Sequence, residues 1–209
     1  MPLIFRIRQY INDYFRERIF LLALVAILFI MGLIFGFLAS GVLAKDQKDM
    51  LVNFIQQGFH GDFNLQNSAY TRQTIISNIQ TVFFLFFMGV SVIGVPLALL
   101  LIFTRGFILG FSTGFLFQNM GIKGFVLTLT GILPHNLLVI PALFVMVIAI
   151  IDCAVALTKL RFTKKQIPVG EELLKCATIT LIVLVTMVLA GLVQGYVTPL
   201  FSSWLAEIV

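Results

Sequence analysis

The 209-residue sequence is 60% hydrophobic and only 11% charged, with a mean hydropathy of +1.07. A soluble domain is about 45–50% apolar and about 25% charged, so this chain has too little polar surface to fold in water and reads as an all-α polytopic integral membrane protein. Its net charge of +5 is spread through the gaps between apolar runs, with no basic patch interleaved with aromatics, which excludes nucleic acid as a partner.

A hydrocarbon core of about 30 Å takes about 20 apolar residues per helix, which allows roughly four to six spans here. Residues 1–18 are amphipathic. Leu3, Ile4, Ile7, Ile11, Tyr14 and Phe15 recur at helical spacing opposite Arg6, Arg8, Arg16 and Glu17. That pattern suits a helix on cytoplasmic headgroups, in contact with membrane lipids; the alternative is a solvated flank that only orients the next segment. Residues 19–44 contain no charge, 26 in a row. This far exceeds the roughly 7–15 of a signal-peptide core, so they are expected to form a retained first span. Residues 45–77 form an exterior loop, where Met50, Leu51, Phe54 and Ile55 make a short apolar stripe that Gly58 and HGDF (60–63) interrupt.

The second span is expected at 78–104, kinked at Gly94 and Pro96 because proline removes a backbone donor. Arg105 closes it, and 106–120 form a third span. Residues 121–133 are expected as a short re-entrant or interfacial segment. Pro134 suits the first position of a helix, so the fourth span is set at 134–157. His135 and Asn136 then fall in its first turn near the exterior, and Pro141 bends it. A cytoplasmic loop at 158–175 leads to a fifth span at 176–203, with Trp204 as an interfacial anchor.

Lys and Arg fix the orientation. Arg6, Arg8, Arg16, Arg18, Arg105, Lys159, Arg161, Lys164, Lys165 and Lys175 alternate with Lys45, Lys48, Arg72 and Lys123, ten against four. The positive-inside rule then puts the N-terminus inside, and five spans put the C-terminus outside. Gly106, Gly110 and Gly114 share one helix face, Gly32 and Gly36 repeat the spacing in the first span, and Gly191 and Gly195 in the fifth. Such stripes let helix backbones approach closely in lipid; the partner helix belongs either to this subunit or to a second copy in a homo-oligomer.

No H-E-x-x-H, nucleophile elbow or paired intramembrane carboxylates occur, so no catalytic, cofactor or metal residue is assigned and no enzyme is expected. Asp152 is the one acidic residue within a predicted span, and Lys159 and Arg161 are its nearest cations. A capping or ion-pairing role is therefore expected. Cys153 and Cys176 lack metal-type spacing and are expected as structural thiols.

Three stretches, RERIFLLALVAILFIMGLIFG (16–36), VSVIGVPLALLLIFTRGFILGFSTGFLFQNMG (90–121) and GILPHNLLVIPALFV (131–145), resemble the stage II sporulation protein M family. The resemblance runs over essentially the whole length, and the LP-x-N-x-x-x-IPA core is its most specific part. The wider family often carries His-Gly and then a glutamate, where this chain has Asn136 and Val139. The resemblance implies a noncatalytic membrane scaffold of the sporulation engulfment complex, on the mother-cell side of the septum. Its implied partners are the peptidoglycan-degrading stage II sporulation proteins D and P. A channel or transporter subunit is the competing expectation, from the interrupted helices.

Overall fold

A computed structural model describes residues 18–60, 63–89, 94–162 and 169–206. The amphipathic segment expected over 1–18 falls outside them except for its last residue, and so does the side chain of Trp204. The elements are α1 (Ile19–Gly41), α2 (Lys45–His60), α3 (Phe63–Gly89), α4 (Gly94–Met120), α5 (Ile122–Leu127), a π-helical turn (Thr128–Ile132), α6 (Leu133–Phe162) and α7 (Val169–Ala206). Among the described residues there is no strand, so the chain is all-α. Four stretches are long and apolar enough to cross a membrane: Ile19–Gly41, Gly94–Met120, Ile122–Thr158 and Leu173–Tyr196. The protein is therefore a multi-pass membrane protein.

Glycine contacts give the direction of each helix. A Cβ on Gly106 would collide with the Phe29 carbonyl, one on Gly110 with that of Leu33, and one on Gly114 with Ser40 and Phe37. From the other side, Gly32 and Gly36 meet the carbonyls of Phe103 and Phe107. Both series rise together, so α1 and α4 run parallel with their backbones in contact. Small residues make that approach feasible in lipid, where apolar burial alone gives little association. At the end of this seam Ser40 is fully buried, donating to the Phe37 carbonyl at 2.7 Å and accepting from Gln118 Nε2 at 3.0 Å.

Elsewhere the order reverses. Gly191 faces Ile75, and Gly195 faces Thr71, which makes α3 antiparallel to α7. His135 meets Ala190 while Thr180 meets Met146, so α6 is antiparallel to α7 too. Thr81 of α3 and Arg105 of α4 are joined, so these two helices lie beside each other. Leu85, Ile102, Leu143, Met146 and Met187 fill the centre of the bundle.

Several sequence expectations are corrected. Within the loop set at 45–77, α2 runs to His60 and α3 starts at Phe63. Gln47 Oε1 accepts from the Ala44 N–H at 3.1 Å, which satisfies an orphan donor at the start of α2. The spans set at 78–104 and 106–120 are divided differently. Helix α3 ends at Gly89 and α4 begins at Gly94, running unbroken through Arg105. Pro96 therefore lies in the first turn of α4 rather than kinking a longer helix, and the residue before a proline is disfavoured in helix. The first span ends at Gly41 rather than residue 44.

The segment at 121–133 is no separate re-entrant element. Gly121, at φ +60°, turns the chain out of α4, and Gly124 packs so closely that a Cβ would strike the Leu116 carbonyl. From Ile122 the helix continues through the π turn into α6. Pro134 is thus inside a helix rather than at its start. Because Pro134 has no N–H to give, the ladder widens just before it, and the Leu133 N–H bonds the Thr128 carbonyl five residues back.

Candidate functional site

The bundle interior contains a polar seam built by four helices. On α3, Asn78 is 3% exposed and donates through Nδ2 to the Met187 carbonyl of α7 at 3.0 Å. On α6, His135 is 7% exposed, and its Nδ1–H donates to the Ala190 carbonyl at 2.9 Å. Met187 and Ala190 are neighbours on successive turns of α7, so Asn78 and His135 grip that helix from two sides.

Arg105 reaches the same seam from α4. One guanidinium nitrogen, Nη2, donates to Thr81 Oγ1 at 3.2 Å, and Thr81 passes its own hydroxyl hydrogen to the Ser77 carbonyl at 2.9 Å. Among the described residues no carboxylate pairs with Arg105. Arg105 is 11 residues into α4 from Gly94 and 15 from Met120, about 16 Å and about 22 Å at roughly 1.5 Å per residue. That places the charge near the middle of a crossing helix, where an arginine costs at least about 2.5 kcal/mol.

The other residues singled out from the sequence have structural surroundings. Asn136 Nδ2 donates to the Ile132 carbonyl at 2.8 Å, at the end of the π turn. Pro141 lies inside α6. Asp152 pairs with Arg18 at the start of α1; Lys159 and Arg161, its expected cations, have side chains outside the described residues. Cys153 and Cys176 are buried and are not joined in a disulfide. Among the described residues no three His, Cys, Asp or Glu side chains gather as a metal site would require.

Sequence reading isolated His135 and Asp152 but missed Arg105, Thr81 and Asn78. The overlooked signal was a spacing of four that runs past Arg105 without interruption: Gly94, Ala98, Ile102, Gly106, Gly110 and Gly114 share one buried face. Arg105 therefore had to be helical.

Comparison with known proteins covers the same elements. A family model described as stage II sporulation protein M matches residues 25–199, from α1 into α7. An uncharacterized protein of Methanocaldococcus jannaschii is 28% identical over 185 residues, covering 87% of this chain and 96% of its own length. No solved structure matches.

Proposed function

The chain belongs to the stage II sporulation protein M family, and from that premise we propose that it is a noncatalytic membrane scaffold of the sporulation engulfment complex. In this reading it assembles with peptidoglycan-degrading partners, stage II sporulation proteins D and P, and localises them at the septum on the mother-cell side. The bundle crosses five times with the N-terminus inside. α1 and α4 run parallel, so a chain crossing in both must return between them, and α3 is the long helix available for that return. With Arg105 removed from the loop count, nine Lys and Arg against four still favour that orientation.

The observation that carries the scaffold reading is α2. This polar helix follows α1 directly, with Asp46, Asp49 and Met50 exposed. On the exterior side it is a docking surface held at a fixed height above the membrane. Co-expression of the full chain with both partners tests it. Reversing the charges of Lys45, Asp46, Lys48 and Asp49 together should abolish co-purification, while His135→Ala should leave it intact. Co-purification that survives the charge reversal removes α2 as the docking surface.

A second reading, a channel or transporter subunit, is favoured by Arg105, since interior charges in membrane helices line solute pathways. Solute flux into vesicles holding the purified protein alone would support it.

A further inference from the structure

We propose that Arg105 anchors an intramembrane binding site for an anionic ligand with oxygen acceptors, a phosphate or a carboxylate, between α3 and α4. The inference needs neither functional reading, since a scaffold and a transporter can both hold a ligand there.

The first support is donor arithmetic. A guanidinium carries five N–H donors, and the described residues supply one acceptor for them, Thr81 Oγ1. Water is scarce near the middle of a crossing helix, so the remaining donors call for an acceptor from outside the protein. The second support is charge. Arg105 has no carboxylate partner among the described residues, whereas intramembrane cations ordinarily pair with an anion or with carbonyls. An anionic ligand supplies the missing countercharge and the missing acceptors together.

The third support is preorganisation. Thr81 gives its hydrogen to Ser77, so its oxygen faces the guanidinium as an acceptor and fixes one edge of the fork. The next residue, Gly106, is seated against the α1 backbone, which fixes the stem from behind. A planar fork held at one edge presents its other edge for bidentate contact with two ligand oxygens. Arg105 is only partly buried, so its head remains reachable.

The ligand oxygens can come from a lipid phosphate entering sideways or from a free anion. The test uses the full chain, purified and reconstituted in zwitterionic nanodiscs. One arm adds phosphatidylglycerol and reads retained lipid by native mass spectrometry. The other adds inorganic phosphate, with chloride at equal ionic strength as control, and reads the thermal shift. Selective binding is expected in one arm, which identifies the source. It should weaken at least about tenfold in Arg105→Gln, the loss expected for a charged hydrogen bond, and several-fold in Thr81→Val. Failure of wild type to prefer either probe overturns the proposal, as does equal binding by Arg105→Gln. Should Arg105→Gln fail to fold, Arg105→Lys is read instead, because it keeps the charge and loses the fork. Unchanged affinity in that variant overturns the proposal too.

Discussion

The α1–α4 seam and the polar interior meet on opposite sides of α4 and are built on opposite principles. Along the seam, Gly106, Gly110 and Gly114 bring carbonyl oxygens of α1 against α4 with no side chain between them. In the interior, Arg105 projects from the same helix toward Thr81. The seam tolerates no added atom, while the interior holds a charge with donors to spare. Tightness on one side is what keeps the arginine fixed on the other. In lipid, small residues bring helices together and polar groups specify how they meet, and α4 carries both kinds.

The largest effect expected from breaking this contrast is Gly110→Val. Its added carbons overlap the Leu33 carbonyl and backbone, and a backbone cannot rotate away as a side chain can. Overpacking costs about 1–3 kcal/mol and occasionally more; a backbone collision belongs at the upper end, about 10 °C of melting temperature at roughly 2–4 °C per kcal/mol. Gly41→Ala is the matched control, since its Cβ would meet the Gln118 side chain at an ordinary 3.6 Å. It should stay within about 0.5 kcal/mol of wild type. Thermal unfolding of both in the same detergent makes the comparison, and equal melting temperatures would contradict a seam held by backbone contact.

An intermediate effect is expected in the interior. Asn78→Leu removes the bond to the Met187 carbonyl while keeping the branching and number of side-chain heavy atoms. Interhelical hydrogen bonds in membranes average about 0.6 kcal/mol and reach about 1.7, and the burial of Asn78 argues for the upper half. A fall of about 3–5 °C is expected. His135→Phe, which loses the bond to Ala190, should fall by a similar amount. Were either to match Gly110→Val, the interior rather than the seam would be the stronger tie.

The same contrast decides what was legible in the sequence. Periodicity exposes a glycine face, because spacing of four is a local property of one helix. A charge has no such signature: Arg105 reads as a loop residue when charge is taken as the end of a span, although arginine is a good helix former. The helix boundary lies earlier: α4 begins at Gly94, two residues ahead of Pro96, which suits a first helical turn. Pro134 misled in the opposite sense. Its missing N–H suits a helix start, but a π turn absorbs the same defect inside a helix. Helix α3 was hidden for a third reason. Arg72, Gln73, Asn78 and Gln80 lower its hydropathy, and only the α7 and α4 partners of Asn78 and Thr81 reveal where polar groups of this helix belong.

The smallest effect sharpens the comparison from the end of α1. Arg18 and Asp152 form an ion pair that ties the start of α1 to α6, with side chains 26% and 31% exposed. Pairs so open to solvent contribute about 0–1 kcal/mol and weaken as salt rises. Asp152→Asn keeps the shape and removes the charge, so it should lower the melting temperature by no more than about 3 °C, less in high salt. The glycine seam continues to hold α1 along Phe29, Leu33 and Phe37 whatever happens at Arg18. A drop as large as that of Gly110→Val would mean that α1 is pinned at its first residue and merely rests on α4, reversing the ranking of the two contacts.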